Sequence, residues 1–160
     1  MAKQKRLHEL FDYKDGELIW KIRTSNRIEV GDVAGTTRKN GYKIIRVDGR
    51  GYLAHRLIFE YMHGYLPPIL DHIDGNPSNN RIENLRSATV AQNQYNRKLN
   101  KNSSSGLKGV CFYKTTQKWM AYIRIDRKFI NLGYYTDKLE AARVANEARR
   151  ERHGEFVRLT

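Results

Sequence analysis

Apolar and polar positions alternate in three short stretches of the first half of the chain. "GELIWKIR" (16–23), "GYKIIRVDG" (41–49) and "GYLAHRL" (51–57) read as strands punctuated by Gly and Asp, and "VDGRGY" supplies a hairpin turn. From Ala54 to Met62 the period changes. Leu57, Ile58, Tyr61 and Met62 recur at three- and four-residue spacing and predict a short amphipathic helix. Pro67 and Pro68 cannot continue a helix, so "GYLPP" ends it. "ILDHID" reads as a strand end, "GNPSNNRIEN" as a polar loop and "LRSA" as a second short strand. Thr89 and Gln92 then form a capping-box pattern that opens a polar helix.

The second half is simpler. "GLKGVCFY", "KWMAYIRI" and "KFINLGYY" are rich in Val, Ile, Tyr and Phe and are separated by "KTTQ" and "DR", which predicts three strands. "DKLEAARVANEARRERHG" predicts a helix with Asp137 and Glu140 as a capping box and Gly154 as its stop. Leu139, Ala142, Ala145 and Ala148 fall near one stripe, slim enough to pack closely on a sheet. On the middle strand, alternation puts Trp119, Ala121, Ile123 and Ile125 toward that helix and Met120, Tyr122, Arg124 and Asp126 on the opposite face. On the third strand, Ile130 and Leu132 go inward and Phe129 and Asn131 outward. The predicted class is α+β.

Charge adds the partner. The 160 residues carry 30 Lys+Arg against 17 Asp+Glu, a net +13, of which +6 falls in residues 107–160. Such an excess suits a polyanion bound through counterion release. Residues 97–106, "RKLNKNSSSG", are basic, nearly free of apolar side chains and end in a Ser/Gly run; they read as a flexible linker between domains at 1–96 and 107–160. No stretch reaches the length of a membrane span, the N-terminus meets charge at once without a signal-peptide core, and the single Cys111 supports neither an internal disulfide nor a zinc site.

Candidate chemistry sits in "ILDHIDGNPSNNRIENLRSATVAQNQYN". Asp71 and His72 are neighbours, and Asn84 and Asn93 follow at twelve and twenty-one residues from His72. An imidazole can take a proton from an attacking water near neutral pH. A carboxylate with an amide oxygen suits a hard cation such as Mg²⁺. The same letters also make turns, so an Asp-His pair alone is equally a turn-rich connection.

The pattern "DHIDG…NNRIENLR" resembles the HNH endonucleases of the phage and homing type, over roughly residues 40–97. The resemblance implies a ββα-metal fold clamped round one divalent cation, Mg²⁺ with Mn²⁺ as a substitute. It implies Asp71 and Asn93 as metal ligands, His72 as general base and Asn84 as the residue orienting it. Asn93 stands where the family name has its last His. The preceding His55 and Arg56, at the start of a helix, are candidate phosphate contacts.

Residues 107–160 resemble the Apetala-type (ethylene-response-factor) DNA-binding domain through "KGV", "KW.A.IR", "LG.Y" and the Ala-rich helix. That resemblance implies a three-stranded antiparallel sheet, backed by one helix, that enters the major groove. Lys108, Tyr113, Tyr122, Arg124 and Asn131 are its candidate DNA contacts. Arg124 to guanine and Asn131 to adenine are the sharpest candidate readers. Cys111, Tyr113, Phe129 and Asn131 depart from the Arg and Trp of many plant members.

The expectation is therefore a metal-dependent, sequence-recognising endonuclease acting on double-stranded DNA as a monomer or homodimer. Family likeness puts it in the cytoplasm of a phage-infected bacterium. The alternatives are a DNA-binding regulator that keeps a decayed HNH domain as scaffold, and a structural or RNA-binding module supported by charge alone.

Overall fold

The computed structural model describes residues 2–100, 102–126 and 128–159. Lys101 of the expected linker and Arg127 of the expected turn lie outside them. The chain divides into two compact units, Met1–Ala88 and Thr89–Thr160.

The first unit starts with helix α1 (Ala2–Leu10) and runs directly into a hairpin of β1 (Phe11–Lys14) and β2 (Glu17–Trp20). A second sheet follows, β3 (Thr36–Thr37), β4 (Lys43–Val47) and β5 (Arg50–Leu53), antiparallel and in that order. The β4–β5 turn is Asp48-Gly49, both at positive φ, as the sequence implies. Helix α2 (Ala54–His63) leaves β5 without a break. It stops three residues before the prolines, because Gly64 takes a left-handed φ of 72° and its N–H returns to the Glu60 carbonyl. The last pair is β6 (Leu70–His72) with β7 (Leu85–Ser87), separated by a polar loop and one 3₁₀ turn, Ile82–Asn84.

What holds this unit is one apolar cluster. Leu7 and Leu10 from α1, Phe11, Leu18 and Trp20 from the first hairpin, Ile45 from β4 and Leu57 and Ile58 from α2 are all buried together. The N-terminal forty residues therefore supply about half of the core on which α2 sits. Helix α1 and strand β1 have no clear periodicity in the sequence. They are placed by burying Leu7, Leu10 and Phe11, a case of packing overriding weak local preference.

In the second unit α3 (Val90–Tyr95) opens on a capping box. Thr89 accepts from the Gln92 N–H at 3.2 Å, while the Gln92 side chain accepts from the Thr89 N–H at 2.8 Å. Strands β8 (Val110–Tyr113), β9 (Lys118–Ile125) and β10 (Lys128–Tyr135) form an antiparallel sheet with β9 in the centre. Helix α4 (Lys138–His153) covers one face, capped by Asp137, whose carboxylate accepts from the Glu140 N–H at 3.0 Å.

The α+β arrangement matches the expectation, with two corrections in detail. The stripe of α4 that meets the sheet is Ala141, Ala142 and Ala145, continuing into Arg149 and His153, while Leu139 is 71% exposed. The row 141, 145, 149, 153 is a strict four-residue repeat, and Leu139 lies off it. Ile130 is also exposed, although it pairs with buried Ile123, and the register of β10 shifts between Asn131 and Gly133. That bulge turns Leu132 onto the core beside Trp119 and Tyr135.

Phe11 is fully buried and its ring meets Trp20 at 4.4 Å between centroids. Phe11→Ala is expected to cost about 3–5 kcal/mol of unfolding free energy, the usual loss for a buried aromatic. Urea denaturation of the full chain measures it.

Candidate functional site

The β6–β7 hairpin positions Asp71 and His72. Asp71 pairs across the ladder with Arg86, and His72 with Leu85. Both site residues are buried, at 6% exposure each. Their side chains point to opposite faces of a strand only three residues long, so each meets a different neighbourhood.

On one face, Arg86 donates to a single oxygen of Asp71 twice, from Nε at 3.1 Å and from a terminal nitrogen at 3.0 Å. The pair is almost dry, with side-chain exposures of 12% and 7%. On the other face, the His72 ring stands edge-on to His55, with centroids 4.9 Å apart, and Tyr42 lies 5.6 Å from His55 and 6.2 Å from His72. His72 Nε2 is 3.2 Å from Asn80 Oδ1, so that nitrogen carries the hydrogen and donates.

Asn80 is therefore the amide on His72, whereas the family resemblance names Asn84. Asn84 has a different task. Its Oδ1 accepts from the Asp74 N–H at 3.0 Å, and its Nδ2 donates to Asp74 Oδ1 at 3.0 Å and to the Asn79 carbonyl at 2.8 Å. It closes the loop that carries Asn80. Asp74, next to the Gly75 that opens the loop, is its hub. Partial burial raises the pKa of its carboxyl, but bonds from the Asn76 N–H, Asn79 and Asn84 outweigh burial and hold it below the ordinary value.

The loop is also braced from outside. Tyr13 of β1 accepts from the Ile82 N–H at 3.0 Å, and Ser78 donates to the Gly41 carbonyl at 2.8 Å. At Gly16 and Gly41 a Cβ would stand only 2.8 Å from Arg81 N and from the Pro77 ring, respectively, and both residues have positive φ. No sequence motif announces these contacts; the isolated glycines are the one visible sign.

Of the two candidate phosphate contacts, His55 is buried and Arg56 half-buried. His55 is 5% exposed, and burial, with the nearby His72 and Arg56, lowers its pKa to about 4. It is neutral at pH 7. Arg56 reaches back to the carbonyls of Pro68 at 3.4 Å and Pro67 at 3.5 Å, fixing the segment between α2 and β6. Asn93 stands exposed on α3, in the second unit.

Among the described residues no group of three or more His, Cys, Asp or Glu is placed to hold an ion. Asp71, the carboxylate in the strands of the β6–β7 hairpin, already carries two charge-assisted bonds from a guanidinium. A cation would have to compete with Arg86 for Asp71.

The second unit presents its own set. Tyr113, Tyr122, Arg124 and Asn131 share the face of the sheet away from α4, as alternation requires. Tyr122 and Phe129 stack at 4.9 Å, and Tyr113 lies 5.3 Å from Tyr134. Arg124 is exposed. Asn131 Oδ1 accepts from the Gly133 N–H at 2.9 Å and holds the bulge. Lys108 is engaged by the backbone. It is half-buried and donates to the Arg158 carbonyl at 2.7 Å and the Tyr95 carbonyl at 3.5 Å.

Two measurements check this geometry. Arg86→Ala takes the guanidinium from a buried carboxylate and is expected to destabilise the chain by about 3 kcal/mol or more, read by urea unfolding and apportioned by a double-mutant cycle with Asp71→Asn. For His55 the folded pKa lies below the ordinary 6.5. Its contribution is complete above that value and is lost as pH falls toward about 4, because the unfolded chain gains a proton that the buried ring refuses. That loss amounts to about 3 kcal/mol, and it should vanish from the pH profile of His55→Gln.

The HNH endonuclease family profile matches residues 52–95, the span from β5 through α3. Protein 3.8 of Escherichia phage T7 is 37% identical over 107 residues, 66% of this chain and 88% of that protein. No solved structure matches. Among the described residues no helix is long and apolar enough to cross a membrane. The loop knit by Asn80, Asn84 and Asp74 lies inside the matched span, and with nearly all of the phage protein's length covered, the chain belongs to the same family as Protein 3.8, residues 52–95 being its HNH-type domain.

Proposed function

We propose that this protein is a DNA-binding protein built on an HNH-type domain whose cleavage chemistry has decayed. The observation that carries the reading is the state of Asp71. The residue that would hold a cation is buried and bound twice by Arg86, while the chain keeps a net +13 for a polyanionic partner. Domains at 1–96 and 107–160 joined by a basic linker at 97–106 belong to this reading. The second is an Apetala-type module that meets double-stranded DNA through Tyr113, Tyr122 and Arg124 on the open face of its sheet. The protein works as a monomer or homodimer.

A second reading, a metal-dependent endonuclease that hydrolyses phosphodiester bonds, is favoured by one observation. His72 has Nε2 held by Asn80, so its other ring nitrogen is the acceptor. A base needs that tautomer to take a proton from water. In this reading Asp71 leaves Arg86 and, with Asn93, takes one Mg²⁺ or Mn²⁺.

Supercoiled plasmid incubated with the chain in Mg²⁺, in Mn²⁺ and in EDTA separates the two. The first reading expects band shifts of equal strength in all three and no nicking above background. Nicking that needs the ion and falls about a hundredfold or more in His72→Ala would overturn it and establish the second. For the sheet face, Arg124→Ala is expected to weaken duplex binding by about 1–3 kcal/mol if it reads a base. If it meets phosphate only, the salt dependence should drop by about one unit of slope. Titrations at three salt concentrations read both.

A further inference from the structure

Within the second unit, a cavity of about 750 Å³ lies beside the start of β8, with Tyr95, Lys108, Tyr122, Arg124, Arg149 and His153 among its lining residues. Its size is that of a small-molecule site. Its charge is lopsided. The lining includes Lys98, Lys108, Arg149 and His153 and, among the described residues, one carboxylate, that of Asp126; Arg124 meets it through its backbone, whose carbonyl lies 3.2 Å from His153 Nε2.

Three of these side chains leave hydrogen-bonding capacity unused. Arg149 is 6% exposed and donates to Asn146 Oδ1 at 3.0 Å, which leaves most of its five N–H groups for another acceptor. Lys108 gives two of its three hydrogens to the Tyr95 and Arg158 carbonyls. His153 is 9% exposed, its Nε2 lies 3.2 Å from the Arg124 carbonyl, and its Nδ1 is buried with no hydrogen-bond partner among the described residues. The ring is also fixed, stacked parallel on Tyr95 at 3.7 Å. The three cannot turn to water without losing these contacts.

Burial and mutual repulsion work against all three. Burial, then Arg149 and Arg158, lowers the pKa of Lys108 to about 8; burial lowers that of Arg149; and burial, with Arg149 and Lys108, lowers that of His153. Like charges gathered in a half-dry cavity are costly unless something of opposite sign enters it.

We propose that this cavity is a binding site for a phosphate group, held by Lys108 and Arg149 with His153 at its wall. The tetrahedral oxygens match the unused guanidinium and ammonium hydrogens. The group has two possible sources, a backbone phosphate of nucleic acid or a free phosphate compound such as a nucleotide, and the same experiment separates them. The site does not depend on whether the HNH-type domain cuts.

The test uses the full wild-type chain. An ammonium with a pKa near 8 is partly neutral at pH 8, so Lys108 reacts with an acylating reagent, and mass spectrometry follows each lysine. Pyrophosphate, at constant ionic strength, is expected to slow modification of Lys108 about tenfold and to leave exposed Lys14 unchanged. Lys108→Met should weaken pyrophosphate binding by about tenfold in calorimetry, whereas the charge-matched Lys14→Met should not. If a short duplex displaces pyrophosphate, the occupant is backbone phosphate. If both bind together, it is a free phosphate compound. Lys108 modified equally fast with and without pyrophosphate overturns the proposal. So does protection by duplex alone, which would mean surface shielding.

Discussion

The buried pair between Asp71 and Arg86 is the constraint on which the first unit's site depends. Strands of three residues have few backbone bonds to hold them, and β6–β7 is joined by a loop rather than a tight turn. The ion pair fixes the hairpin at its centre, on the side away from the histidines. With that register set, His72 has to face α2, and the loop that leaves it has to return through the 3₁₀ turn to β7. A dry pair is a poor source of net stability, since desolvation offsets much of the attraction. Its value here is specificity. A one-residue slip would turn Asp71 toward His55 and expose His72.

The loop between the strands shows how polar residues can make a rigid element without a core. Asp74 is its centre, bonded by Asn76, Asn79 and Asn84, and the ring of bonds leaves Asn80 projecting at His72. Asn76, Asn79 and Asn80, which read from sequence only as parts of a polar loop, thus have distinct tasks. The brace comes from chain that is distant in sequence: Tyr13 and Gly16 from the first hairpin and Gly41 before β4. The N-terminal forty residues are therefore part of the site's support and not an appendage to it.

Much of this was legible from residue order. The β4–β5 turn, α2, the β6–loop–β7 sequence, the Thr89 capping box and the whole β8–β9–β10–α4 succession follow from period and turn chemistry. Elements whose only reason is burial were not. Helix α1 carries Lys, Arg and Gln through most of its length, and just Leu7 and Leu10 face the core. The roles of Asn80 and Asn84 could not be ordered from spacing, because both lie in one loop and the hydrogen-bond geometry decides between them. His55 looked like a charge at a helix start. Its helix begins directly from β5, and that junction turns the ring inward against His72. Lys108 reads as a DNA contact and Arg149 carries no sequence signal, yet Gly109, with φ of 70°, lets the chain close over Arg149.

The two histidines then make a consistent electrostatic picture. Their rings are 4.9 Å apart, and two positive charges at that distance would repel by about 3 kcal/mol at an effective dielectric of 20. Burial resolves the conflict by keeping His55 uncharged near neutral pH. His72 therefore faces the edge of an uncharged ring, while the charged pair of the hairpin lies on the far side of the strand. One short strand separates a salt bridge from an edge-on pair of imidazole rings, and the alternation of side chains across it keeps the two apart. That separation keeps the Asp71–Arg86 pair, which sets the register, on one side of the strand and the Asn80 contact to the His72 ring on the other.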